Sequence, residues 1–128
     1  MSGSGERLVA DTSVMSALLA GDPLAGNAIL GRSVCISVIT ELELLSNPVI
    51  IGAALSVFKV RLRSLPVVEM GQGIRIITIA LRRERLLKLP DAIIAASAIA
   101  LGVPLVTGDK RFLKVSDRLD VRLLKFSR

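Results

Sequence analysis

The stretch Leu89–Asp109, "LPDAIIAASAIALGVPLVTGD", decides how this sequence folds. Between Asp91 and Asp109 it carries no charged residue. "DAIIAASAIAL" is apolar on every face of a helix, so it belongs in the interior rather than on a surface. Pro90 opens it, Gly102 suits its C-terminal cap, and "VPLVT" then reads as a short central strand. A buried helix feeding a buried strand points to a parallel sheet covered by helices. The run is broken by "GVP" and falls short of the about 20 apolar residues of a membrane span. An aspartate stands near each end, and those two positions raise the question of function.

Working outward, the rest of the chain repeats the same alternation. "RLVAD" predicts a buried strand ending at Asp11, followed by a helix over "TSVMSALLAGD" and a second short helix over "PLAGNAIL", stopped by Gly31. "SVCISVI" is β-branched and apolar, hence a second strand, and Thr40 is placed to cap the helix "TELELLS". Pro48 is expected to end that helix and start the next, "PVIIGAALSVFKVRLRSL". "PVVEM" predicts a third strand and residues 72–88 a long basic amphipathic helix, with a possible fifth strand at "VRLLKF". The expected fold class is α/β: three layers, α/β/α, around a mostly parallel sheet of four to five strands. Residues 1–6 read as a disordered leader or cloning remnant and 7–128 as one domain, a size typical of single domains.

Composition narrows the chemistry. Of the 128 residues, 52% are hydrophobic but only 2% aromatic, so the core must be aliphatic. There is no histidine, which removes Ser-His-Asp and Cys-His nucleophile pairs and every histidine-ligated zinc site. The single cysteine, Cys35, reads as a buried small hydrophobe, and a reducing cytoplasmic setting with no membrane association fits. Carboxylates are left as the leading chemical groups, and they favour hard, oxygen-liganded ions such as Mg2+ or Mn2+. Seventeen Lys and Arg against 11 Asp and Glu give a formal charge of +6, which favours a polyanionic partner.

The acids fall where open α/β sheets bind ligands, beyond the carboxyl ends of strands. Asp11 ends the first strand, Asp109 follows the fourth, Asp91 starts the apolar helix, and Glu43 lies on the first turns after the second strand. Each has a bland explanation. Asp11 caps a helix, Asp91 meets a helix N-terminus, Asp109 sits in the turn "TGDK", and Glu41 and Glu43 are solvated helix surface. Their coincidence at one edge favours a site, because crowded carboxylates repel one another unless a cation compensates. Thr12, Ser13 and Thr107 lie beside these acids and either orient them or cap and brace turns. Glu41 and Glu43, two apart on a helix, cannot both face the edge, and the pattern does not choose between them. Lys110 and Arg111 adjoin Asp109 and are candidate phosphate contacts, whereas Arg82, Arg83 and Arg85 fit a solvated helix face somewhat better.

"ADTSVMSALL", "ISVITELELL" and "LPDAIIAASAIALGVPLVTGDKRF", taken in order, resemble the PIN-domain ribonucleases, particularly toxins of the VapBC toxin–antitoxin kind, from about Leu8 to Phe112. The resemblance implies a metal-dependent endoribonuclease in which Asp11, Glu43, Asp91 and Asp109 hold Mg2+ or Mn2+, and in which Thr107, two residues before the fourth acid, completes the catalytic set. It selects Glu43 over Glu41. It also implies an RNA substrate, a cognate antitoxin and a homodimer. Ser13 stands where the family often has Asn, and Glu41 is an additional acid. Two other readings remain: a non-catalytic PIN-fold module that binds RNA or protein, and another carboxylate-metal phosphotransfer enzyme such as a small phosphatase. The latter lacks the expected DxD, since Asp11 is followed by Thr12 and Ser13.

Overall fold

Five short strands carry the interior of the protein: β1 (Arg7–Ala10), β2 (Ser33–Ser37), β3 (Val67–Val68), β4 (Leu105–Thr107) and β5 (Val121–Leu123). In the computed structural model, which describes residues 5–126, they form one sheet in the order β3-β2-β1-β4-β5. All four pairings are parallel, with Val9 opposite both Cys35 and Leu105. The expectation of a mostly parallel sheet of four to five strands thus resolves to five, all parallel. The chain builds outward from β1 through β2 to β3, then returns across β1 to add β4 and β5. The order therefore reverses between β1 and β4, and the carboxyl ends of those two strands form the switch point where open sheets of this kind bind ligands.

Six α-helices cover the sheet: α1 (Thr12–Leu19), α2 (Pro23–Ile29), α3 (Val38–Ser46), α4 (Gly52–Arg63), α5 (Gln72–Arg83) and α6 (Leu89–Leu101). Alternation along β1 divides the core. Val9 points to the side of α5 and α6, with Cys35, Leu105, Ile93 and Ile94. Leu8 and Ala10 point the other way, to Val14, Met15, Ile36, Leu44 and Val106. Every residue of α6 from Ala92 to Ala98 is buried. At about 1.5–3 kcal/mol for each fully buried isoleucine, Ile93 and Ile94 alone anchor the helix firmly. Gly102 closes it in the left-handed conformation, φ +66°, which only glycine adopts without strain.

Several boundaries differ from those the sequence predicts. β2 stops at Ser37, whose hydroxyl accepts from the Ile39 N–H and caps α3; Thr40 is buried in the first turn instead of capping it. The β-branched Val38 and Ile39 are thus helical, because a cap and tertiary packing outweigh strand propensity. Pro48 does not start α4. The Asn47 side chain accepts from the Val49 N–H and its carbonyl from Ile50, so a turn occupies this segment and α4 begins at Gly52. The basic helix ends at Arg83 rather than Lys88, because Arg85 turns the backbone to φ +58° and the chain leaves the helical path until Lys88, in extended conformation, precedes α6. A 3-10 helix at Lys110–Val115, not anticipated, follows β4 and buries Phe112 and Val115.

Of the leader expected at residues 1–6, residues 1–4 lie outside the described residues. Glu6 accepts two hydrogen bonds from Arg122, at 2.6 and 2.8 Å. Among the described residues no helix is long and apolar enough to cross a membrane.

Candidate active site at the carboxyl edge

Asp11 leaves β1 at this switch point and is only 3% exposed. Its Oδ1 accepts from the Val14 N–H at 2.9 Å, which caps α1, and from the Ser13 hydroxyl at 2.6 Å. Its Oδ2 accepts from Thr107 at 2.5 Å, tying β1 to β4. The capping reading and the site reading are therefore both true of one side chain. Burial pushes its carboxyl above the ordinary value, against the pull of the Ser13 and Thr107 hydroxyls, and nearby Asp109 raises it further.

Thr107 is fully buried and does two jobs: besides donating to Asp11 it accepts from the Asp109 N–H at 2.9 Å. Ser13 also spans two segments, accepting from the Gly108 N–H at 3.0 Å while it donates to Asp11. The two hydroxyls lock the loop after β4 onto the loop after β1. Gly108 lies so close to the Phe126 ring that a β-carbon there would collide with it.

Asp91 sits in the first turn of α6, half-buried, and reaches the same edge because α6 runs back along the sheet before β4. Burial raises its carboxyl; Arg111 opposes this, while Asp109, Glu43 and Asp11 add to it. Glu43 extends from α3 to the Thr12 hydroxyl at 2.6 Å, and the same hydroxyl lies 3.0 Å from Thr40. With one proton to give, Thr12 donates to the carboxylate and accepts from Thr40. Glu43, rather than Glu41, joins the cluster.

Arg111 supplies the cation inside this cluster. Its Nε and Nη2 grip both oxygens of Asp109 at 2.5–3.0 Å, and Nη2 stands 3.9 Å from Asp91. Hydrogen bonds from Arg111 hold the Asp109 carboxyl below its ordinary range. As the side chains stand, no three acids among the described residues converge closely enough to hold an ion. Both Asp109 oxygens are engaged by Arg111, and Glu43 is held by Thr12. The donor set nevertheless fits a hard divalent ion: all carboxylates, with two of them pushed up by burial and crowding. Binding one would require Arg111 to release Asp109.

The remaining residues singled out from the sequence part company here. Lys110 turns away from Arg111 and lines a separate cleft with Gly108 and Phe126. Thr40 joins the site although the sequence pattern does not single it out for one, and only its position in the apolar run before Glu43 hinted at burial.

A doubly wound parallel sheet with an acidic cluster at its switch point is the class that fold and site define. The chain belongs to the PIN domain family, which it matches over residues 8–118. No curated protein matches the sequence. Among solved structures the chain is similar to a toxin–antitoxin complex from Klebsiella pneumoniae, at 30% identity and TM-score 0.71 over 82% of this chain and 89% of the other. It is also similar in fold to VapBC2 from Rickettsia felis, bound to a DNA fragment from its promoter, at 20% identity and TM-score 0.78 over 93% and 99% of the two chains. FitAcB from Neisseria gonorrhoeae matches in fold at 19% identity and TM-score 0.74 over 90% and 96%.

Proposed function

We propose that the protein is a metal-dependent endoribonuclease, the toxin of a type II toxin–antitoxin pair. The observation that carries this reading is the placement of Asp11, Asp91, Asp109 and Glu43 along the same edge at the sheet's switch point, where the other three act on the Asp91 carboxyl and burial raises both Asp11 and Asp91. Membership of the PIN family supports nuclease chemistry, and the similarity to a toxin–antitoxin complex supports a cognate antitoxin as partner. A homodimer in the cytoplasm is part of the same proposal.

Asp11 and Asp91 would be the main ligands of Mg2+ or Mn2+, with Glu43 and Asp109 completing the acid set. Such an ion supplies Lewis-acid stabilisation of the phosphodiester and a nucleophile made from water at neutral pH. The chain's own groups supply placement. Thr107 and Ser13 fix the Asp11 carboxylate, Thr12 fixes Glu43, and Arg111, once free of Asp109, is placed to meet a phosphate oxygen.

The test is incubation of a mixed RNA pool with and without Mn2+ or Mg2+, beside Asp11→Asn. Metal-dependent cleavage lost in the variant is the expected result. The Arg111–Asp109 pair favours one other reading, a non-catalytic PIN-fold binding module, since it neutralises part of the cluster without a metal. RNA binding without metal-dependent turnover would select that alternative.

A further inference from the structure

A cleft of about 480 Å³ opens beside the acid cluster, between the end of α5, the start of α6 and the 3-10 helix. Its walls carry Arg82, Arg85, Lys88 and Lys114, and it reaches the cluster through Asp91 and Arg111. Its volume lies within the range of small-ligand sites. Among the described residues, none of Arg82, Arg85, Lys88 and Lys114 makes an ion pair, whereas Arg32, Arg111, Arg118 and Arg122 all do. Four unpaired cations facing one space repel each other, and an anion is what relieves them. The larger cleft at the opposite edge, about 560 Å³, differs in this respect: its Arg118 and Arg122 are already matched by Glu84 and Glu6.

The backbone is built to present these groups. Arg82 donates to the Leu87 carbonyl at 2.8 Å, bracing the loop between α5 and α6. Arg85 takes φ +58° in that loop, a conformation in which glycine would be less strained. Arg83, one residue from Arg82, does not line the cleft.

We infer that this cleft binds backbone phosphates of the RNA strand flanking the one presented to Asp11 and Asp91, so that Arg85, Lys88 and Lys114 position the substrate. The inference rests on the nuclease reading for its substrate. Phosphate interactions of this kind position a strand without reading its sequence.

The experiment is fluorescence anisotropy of a labelled single-stranded RNA of mixed sequence, titrated over a salt series with the full chain carrying Asp11→Asn. Arg85→Asn, which tolerates the left-handed backbone, and Lys88→Gln with Lys114→Gln are compared with Arg61→Gln and Arg63→Gln on α4, outside the cleft. Every phosphate left without its cation should flatten the slope of log K against log salt by about 0.7. That flattening is expected in the cleft variants and not in the α4 control, with unfolding midpoints unchanged. Equal slopes in both sets would overturn the inference. So would tight binding of polyglutamate that the cleft variants abolish while RNA slopes stay unchanged, which assigns the cleft to an acidic protein segment. Since binding is read without turnover, failure of the nuclease reading shows separately, as absent metal-dependent cleavage by the unmodified chain.

Discussion

The two edges of the sheet treat charge in opposite ways. At the amino edge, Glu6 accepts from Arg122 and pairs with Arg32, and Arg118, which lines the cleft there, reaches out to Glu84 and Asp117. Each of these acids has an arginine partner, and the carboxyls of Glu6, Glu84 and Asp117 are all held below their ordinary range by hydrogen bonds from arginine. At the carboxyl edge, Asp11 is buried without a cation of its own, Asp91 is raised, and Arg111 alone offsets the group. A fold can match its charges when nothing else is required of them. Where it leaves carboxylates crowded and partly unmatched, a site is the economical explanation.

The strongest way to break this contrast is Asp11→Asn. Asn keeps the oxygen that caps Val14, and the Thr107 hydroxyl can accept rather than donate, so the fold should survive. Metal-dependent cleavage should fall by more than about 100-fold, since losing even outer-shell support of a metal costs 10–100-fold. The raised Asp11 carboxyl also sets a direction for stability. Between its ordinary value of 3.8 and its higher folded value, the native state holds the proton more tightly than the unfolded chain. Stability is thus lost as pH rises through that window. At neutral pH the Asn variant should melt no lower than the unmodified protein, and any gain should shrink as pH falls into the window. A variant that melts far lower at neutral pH would reduce Asp11 to a helix cap.

Thr107→Val sharpens the comparison next. It conserves shape but strips partners from Asp11 Oδ2 and the Asp109 N–H, so chemical denaturation should show a loss of about 1–3 kcal/mol. Cleavage should drop with it, because the loop carrying Asp109 is freed. Gly108→Ala should cost less, about 1 kcal/mol, the low end for overpacking, since the half-buried Phe126 ring can swing aside. Glu6→Gln at the amino edge should have the smallest effect. Cleavage should be unchanged, with a slight midpoint loss that high salt erases. A clear effect of Glu6→Gln on cleavage would show that the two edges are coupled and that the contrast is false.

Periodicity and breaker residues were enough to place most elements, because buried aliphatic runs punctuated by glycine and proline leave few alternatives. They erred where tertiary packing overrules local preference. Val38 and Ile39 are helical because Ser37 caps them, and residues 84–88 leave the helix because the chain must turn into α6.

The acids themselves were legible for a simple reason: an aspartate directly after an apolar strand can lie only at the carboxyl edge once the sheet is parallel. The sequence thereby determined the sheet class, the buried α6–β4 hairpin of helix and strand, and the edge where Asp11, Asp91 and Asp109 meet. Only the tertiary structure decided that Glu43 rather than Glu41 reaches Thr12, that Arg111 closes on Asp109, and that Lys110 turns away. It alone gathered Arg82, Arg85, Lys88 and Lys114 around one space. Such choices depend on side-chain direction and on meetings between segments far apart in the chain, and a one-dimensional pattern carries neither.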